Sequence, residues 1–221
     1  MTGIFITLEG IEGSGKTTQA GRLVEYLRGE GYDVVAIREP GGTEVGEAIR
    51  GMLKHDAAGE LLVPKAEALL FSASRAQLVR DVILPALERG AVVVCDRFFD
   101  STTAYQGYGR GLDIEELLRM NDFAADGNVP DVTILLDVDV ESAFARLADR
   151  HAANGTAHDR IEREAADFHG RVRSGYLELA GKWPGRFRVL DSGREQDVVA
   201  ADIRQVVDAA LREKGPGNDR G

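Results

Sequence analysis

Short apolar runs rich in β-branched residues alternate along this chain with longer stretches of helical periodicity. The runs are Ile4–Leu8, Asp33–Ile37, Ala91–Cys95, Val132–Leu136 and Phe187–Leu190. Between and after them, the pattern predicts helices over 16–29, 44–54, 65–89, 113–126, 140–151, 161–181 and 195–213. Val92, Val93 and Val94 are apolar without alternation, as are Ile134, Leu135 and Leu136; strands buried on both faces read this way. Strands alternating with helices predict an α/β fold, a three-layer α/β/α arrangement with a five-stranded parallel sheet and helices on both faces. Ligands of such sheets gather at the carboxyl ends of the strands. Charge and glycine appear there, at Glu9–Thr17, Arg38–Gly42, Asp96–Arg97 and Asp137.

Two stretches break the pattern. His151–His158 interrupts helical continuity between arginine-bearing segments and reads as a mobile loop. Residues 214–221 are polar and glycine-rich, and read as a disordered tail. Residues 1–213 are expected to form one domain, since 221 residues with 43% hydrophobic content suffice for a single core.

The net charge of −10 argues against a dedicated nucleic-acid binder, which needs a broad basic surface. Small anionic substrates stay open, because local arginines can outweigh a distant acidic surface. Cys95 is the sole cysteine, so no disulfide forms within the chain, and its apolar neighbours mark it as a small buried residue. His55, His151, His158 and His169 form no H-E-x-x-H pattern and are expected on the surface or in loops, not on a metal. The first apolar run is too short, and lacks the basic leader, for a signal peptide. No stretch approaches the roughly 20 apolar residues of a membrane helix. A cytoplasmic protein is the expectation.

The strongest chemical signal follows the first strand. Gly10-Ile11-Glu12-Gly13-Ser14-Gly15-Lys16-Thr17 matches G-x-x-x-x-G-K-[ST] in full, and Thr18 leads into a helical stretch. The glycines let successive backbone N–H groups point at a polyphosphate; Lys16 can reach the β/γ-phosphates and the Thr17 hydroxyl can ligate Mg²⁺. The helix that follows turns its positive end to the same phosphates. Asp96 closes the third run, where an acidic residue in a P-loop protein commonly helps hold Mg²⁺; a helix cap is the plainer alternative. Arg97 and Arg38 carry planar forks suited to phosphate, with a surface salt bridge to Glu39 as the alternative for Arg38. Two arginine positions beside a phosphate loop suggest a nucleotide donor and a phosphorylated acceptor. The guanine-reading N-K-x-D of GTPases is absent. Phe71 and Arg75 are i and i+4 on one helix, so a ring can stack on a base while the fork bonds its edge; ordinary core packing is the alternative for Phe71. The segment Ser101–Gly111 is dense in hydroxyl, amide and glycine, and suits polar ligand contact.

Taken in order, Leu8–Thr18, Arg38-Glu39-Pro40-Gly41-Gly42-Thr43, Leu70–Arg75, Asp96-Arg97 with Ser101 and Ala104–Gly111, and Asp159-Arg160-Ile161-Glu162 resemble the bacterial thymidylate kinases, a family of P-loop nucleoside monophosphate kinases. The resemblance covers about residues 4–210. It implies transfer of the ATP γ-phosphate to dTMP, giving dTDP, with Mg²⁺ as cofactor, and a homodimer formed by helix packing. It also implies residue roles. Glu12 contacts the dTMP sugar; Arg38 and Arg97 clamp its 5′-phosphate; Phe71 stacks on thymine and Arg75 bonds its edge. Ser101, Thr102 and Gln106 fall in the base-and-sugar pocket, and the Tyr105 ring crowds the 2′ position. Phe98 replaces a tyrosine of many relatives, and the lid, about 146–162, looks longer than in some.

The acceptor is already a phosphate oxyanion, so no general base is required. Lys16, Mg²⁺ and Arg97 would neutralise the transferring group. Some family members carry an arginine beside Glu12, but Gly13 stands there, which moves the missing cation to the lid: Arg146, Arg150 or Arg160, with Arg150 the leading choice because it abuts the flexible segment. Arg75→Ala is expected to weaken dTMP more than ATP. The rival readings are another nucleoside or nucleotide kinase, or a regulatory ATP-binding module without an acceptor.

Overall fold

The computed structural model describes residues 3–54, 62–155 and 159–214. Five strands form one sheet: β1 (Ile4–Glu9), β2 (Val34–Arg38), β3 (Val92–Asp96), β4 (Val132–Asp137) and β5 (Phe187–Asp191). Their order is β2-β3-β1-β4-β5 and every pairing is parallel. The five expected runs agree with these strands to within one residue at each end. Alternate side chains take opposite faces. Ile4, Ile6, Leu8, Val92 and Val94 pack with Leu23, Leu27, Ile203 and Val207 of α1 (Lys16–Gly29) and α9 (Gln196–Lys214). On the other face, Phe5, Val93 and Cys95 meet Leu78, Ile83 and Phe98, while Leu135 meets Val172, Tyr176 and Leu179. Cys95 is fully buried, as expected.

The remaining helices are α2 (Glu44–Lys54), α3 (Pro64–Leu78), α4 (Leu84–Glu88), α5 (Phe99–Thr102), α6 (Ile114–Ala125), α7 (Val140–Asn154) and α8 (Ala166–Lys182). The single helix expected over 65–89 is α3, a wide π-helical stretch Val79–Ile83, and α4. The widening precedes Pro85, which has no N–H to give and whose ring crowds the carbonyl four residues back. Local caps set two starts: Asp113 Oδ1 accepts from the Glu116 N–H at the head of α6, and Asp139 Oδ1 from the Ser142 N–H at the head of α7.

Several expectations need correction. The polar segment after Asp96 is helical, α5 running into π-helical turns over Thr103–Gly109. Its glycines serve packing: a Cβ on Gly109 would sit 2.7 Å from the Phe168 ring on α8. His151–Asn154 is not loop but the last turn of α7, closed by Gly155 in the left-handed region at φ 62°. Residues 156–158 lie outside the described residues. The segment from Asp159 to Ala165 is a turn, not helix, because Asp159 Oδ1 accepts from the Ile161 and Glu162 N–H groups. Lys214 belongs to α9, with its ammonium on the Gly3 carbonyl and Asp131; the rest of the expected tail lies outside the described residues. His169 is fully buried rather than exposed. His151 is half-buried against Glu162, and His55 and His158 fall outside the described residues. No helix among the described residues is long and apolar enough to cross a membrane.

Candidate functional site

A cavity of about 1010 Å³ opens at the carboxyl ends of β1, β2 and β3. The loop from Gly10 to Gly15 forms its floor. Gly10, Gly13 and Gly15 have φ of 143°, 77° and 91°, values that only glycine adopts without strain. Gly13 is also held by space, since a Cβ there would lie 2.2 Å from the Ala143 carbonyl oxygen of α7. Lys16 curls over the loop, donating to the Ile11 carbonyl at 2.7 Å and Ser14 Oγ at 3.2 Å. Burial, then the nearby Arg97, pushes its ammonium down to about 7, against the opposing pull of Glu12, Asp96 and Glu9. Thr17 Oγ1 donates to Asp96 Oδ2 at 2.6 Å, so the two expected magnesium ligands touch across 79 residues of sequence. The first turn of α1 carries no acidic side chain, leaving its positive end open toward the cavity.

Arg97 fastens the end of β3 to the phosphate loop. It sits in the left-handed region at φ 73°, a strained position for a residue with a Cβ. Its Nη1 donates to the Gly10 carbonyl at 3.0 Å, and its Nη2 meets Glu12 Oε1 at 2.6 Å. Glu12 also accepts from the Tyr105 hydroxyl, and His169 Nδ1 lies 3.5 Å from Oε2. Burial alone would raise the Glu12 carboxyl; Arg97, His169, Lys16 and Tyr105 together hold it well below the usual carboxylate range. One layer down, Glu9 accepts from the Phe98 N–H, Ser101 Oγ and the Tyr176 hydroxyl, which lock the start of α5 to the end of β1. Burial and neighbouring Asp100 push the Glu9 carboxyl up to about 7.

Arg38, at the end of β2, lines the cavity and pairs with Glu47 at 2.8 Å, not with Glu39. Glu39 instead takes Arg75. Phe71 and Arg75 part company although they share a helix face: Phe71 lines the cavity, while Arg75 is 0% exposed behind its wall. Arg75 donates to Glu39 Oε2 at 2.8 and 3.0 Å, to Asn121 Oδ1 at 2.9 Å and to Thr102 Oγ1 at 2.8 Å. A buried carboxylate needs a counter-charge, and Arg75 serves it rather than the cavity. Ser101, Thr102, Tyr105 and Gln106 all line the cavity, the Gln106 amide donating to Glu67 at 2.7 Å. Of the three lid arginines, Arg146 and Arg150 face the cavity from α7. Arg146 donates to the Gly193 carbonyl at 3.3 Å, and Arg150 pairs with Glu162 at 2.5 Å. Arg160 turns away, to the Leu53 carbonyl and Glu67.

Two parts of the lining were missed from the sequence. Arg50, on α2, donates to the Pro40 carbonyl at 2.8 Å and borders the cavity beside Arg38. Its helical spacing from Glu47, the partner of Arg38, is a signal that could have found it. The turn Ser192–Glu195 and Gln196 at the head of α9 also border the cavity; the strand-end rule, applied to the fifth strand, points to them.

A phosphate loop, an oxygen-rich pair at Thr17 and Asp96, and several arginines around one cavity suit the meeting of two phosphorylated ligands. The family model described as thymidylate kinase matches residues 8–203. The chain belongs to the thymidylate kinase family. It is 53% identical over 220 residues to the thymidylate kinase of Pelotomaculum thermopropionicum, covering the whole of both chains. It is 50% identical over 204 residues to that of Clavibacter sepedonicus, covering 92% of this chain and 94% of the relative. Among solved structures, thymidylate kinase from Ehrlichia chaffeensis superposes with a TM-score of 0.75 at 36% identity, covering 94% of this chain and all of the other. A thymidylate kinase is a phosphotransferase that converts dTMP to dTDP with ATP as donor, and a cavity bordered on one side by the phosphate loop and on the other by Arg38, Phe71 and Tyr105 has room for that pair.

Proposed function

We propose that Gly10–Thr18 holds the ATP phosphates and that dTMP lies opposite, its sugar at Glu12, its 5′-phosphate between Arg38 and Arg97, and its base against Phe71. The observation that carries this reading is the position of Arg97, whose fork reaches the phosphate loop at Gly10 and Glu12 and also Ser101, one of the residues assigned to the acceptor pocket. A phosphoryl group passing between the nucleotides would lie within reach of its fork. Arg50 joins the acceptor-phosphate group, and Ser101, Thr102 and Gln106 frame base and sugar. The Tyr105 ring crowds the 2′ position of the sugar, which favours deoxyribose. Arg75 contributes indirectly by holding Thr102, which faces the cavity.

The Thr17 hydroxyl and the Asp96 carboxylate, 2.6 Å apart, fit magnesium, which takes oxygen ligands from one or two protein groups and fills the rest from phosphates and water. When bound, magnesium supplies neutralising charge on the transferring phosphate. The protein's own work is positioning. Lys16, uncurled from Ile11, would follow the β/γ-phosphates. Nothing basic stands between Gly10 and Gly15, so we assign the further cation to Arg150, released from Glu162 when the lid segment 146–162 closes, with Arg146 second. The acceptor oxyanion needs no base, and no histidine is given that task.

A second copy of the chain is the partner we propose for the face of α2, α3 and α6, where Met52, Leu69 and Phe123 are 54%, 61% and 87% exposed. Light scattering would read a dimer mass. We read residues 1–213 as a single domain, and place the protein in the cytoplasm with its nucleotide substrates. The deciding assay supplies purified protein with ATP, Mg²⁺ and a panel of nucleosides and monophosphates. Fastest turnover on dTMP is expected; a faster acceptor other than dUMP overturns the acceptor-site assignments.

A further inference from the structure

A buried histidine lies under the acceptor side of the cavity with no task in the mechanism above. Neither ring nitrogen of His169 has a hydrogen-bond partner among the described residues, and the side chain is fully buried. Buried polar atoms are nearly always paired, so an orphaned ring calls for a partner in another state of the molecule. Among the described residues the acceptor that faces the ring is Glu12 Oε2, 3.5 Å from Nδ1; the contact already helps hold the Glu12 carboxyl low, but it is long for a hydrogen bond. The ring is fixed edge-on by Phe144, at 5.1 Å and 82°, and by Phe168, at 5.3 Å and 88°. It is therefore preset toward Glu12 rather than free to turn elsewhere.

The charged and titratable groups that face Glu12 are Arg97 and Lys16, together with Tyr105 and His169. In the free protein Arg97 holds Oε1 at 2.6 Å. On the reading given above, on which this inference rests, Arg97 turns to the acceptor phosphate and Lys16 to the ATP phosphates. Arg97 therefore leaves Glu12 when dTMP binds, and Lys16 draws away when ATP binds. A buried carboxylate stripped of its counter-charge is strongly destabilised, and would swing away from the sugar or take up a proton. Tyr105 remains, but it is neutral.

We propose that His169 replaces Arg97 as the donor to Glu12 when dTMP binds: the Nδ1–H closes on Oε2 and keeps the carboxylate aimed at the sugar. His169 touches no substrate atom and is a positioning residue for the acceptor. The aromatic brackets serve this by holding the imidazole at the right edge of Glu12 before the substrate arrives.

The test compares His169→Phe, which keeps the aromatic packing, with His169→Asn, which keeps an N–H near the Nδ1 position. His169→Phe is expected to raise the KM for dTMP about tenfold or more, the loss of a hydrogen bond to a charged group, with the KM for ATP unchanged. His169→Asn is expected to recover most of that loss. In the wild-type full chain labelled with ¹⁵N-histidine, saturation with dTMP alone should move the His169 Nδ1 resonance to that of a hydrogen-bonded N–H. An unmoved resonance, or equal rises in both KM values with a lowered Tm, overturns the proposal. Glu12→Gln separates the two levels. If it weakens dTMP while His169→Phe does not, the histidine assignment alone fails; if it leaves dTMP unaffected, the Glu12 assignment fails and takes the histidine with it.

Discussion

Replacing Arg75 with methionine should damage the fold more than the chemistry. The Arg75 and Glu39 side chains are 1% and 3% exposed and meet at 2.8 Å. Methionine keeps much of the apolar volume but strands Glu39 as a buried, unpaired carboxylate, whose second oxygen already lacks a partner. Breaking a buried pair from one side costs about 3–5 kcal/mol. For a chain of this size that lowers Tm by roughly 6–20 °C. The deficit should depend on pH. Burial already raises the Glu39 carboxyl above its ordinary 4.5 despite the opposing effect of Arg75, and removing Arg75 raises it further. The folded state then binds its proton more tightly than the unfolded state, so stability falls as pH rises above that ordinary value. The variant should therefore be weakest at pH ~7 and closest to wild type near pH ~5. Urea melts at both pH values, for Arg75→Met alone and with Glu39→Gln, supply the measurement. The double variant should recover much of the loss, because it no longer buries a charge. A single variant within about 1 kcal/mol of wild type at neutral pH, well below that range, would refute the argument. If it also weakened dTMP binding but not ATP binding, direct reading of the base edge by Arg75 would return.

Two further outcomes follow from the cavity wall. Arg150 is half-exposed and pairs with Glu162, so Arg150→Ala should fold normally yet lower kcat by up to about 10³-fold; unchanged turnover would shift the role to Arg146. Gly13→Arg should not restore a cation to the phosphate loop. Its Cβ meets the Ala143 carbonyl at 2.2 Å and its backbone is left-handed, so a lower Tm and reduced ATP affinity are expected, and a variant as stable as wild type would show that α7 yields easily.

Much of this molecule is legible one segment at a time. The strands announce themselves because burial on both faces demands unbroken apolar runs, and the phosphate loop because its glycines satisfy a local backbone requirement. The strand-end rule then places Glu9, Arg38 and Asp96 around one cleft before any coordinate is known. The failures share a cause. Ser101–Gly109 lacks an apolar stripe, so its helix is invisible to periodicity; it is helical because Ser101 and the Phe98 N–H bond Glu9 and because Gly107 and Gly109 let α6 and α8 come close. His151–Asn154 looks like a break because Asn154 and Gly155 follow the alanines, yet these residues are the last turn of α7 and its left-handed cap.

What the sequence by itself determined, then, is the strands, most of the helices and the phosphate loop, which depend on residues near one another in the chain, and the family, which depends on motifs taken in order. The tertiary structure decided the partners. The order β2-β3-β1-β4-β5 sets β1 beside β3, and so Thr17 against Asp96 and Arg97 against Glu12. It sent Arg75 to Glu39 and Arg160 to Glu67, and set His169 beneath Glu12, 3.5 Å from its carboxylate. An arginine or histidine carries the same chemistry in any setting; which carboxylate it meets, and whether water reaches it, depends on chain segments brought together only by packing.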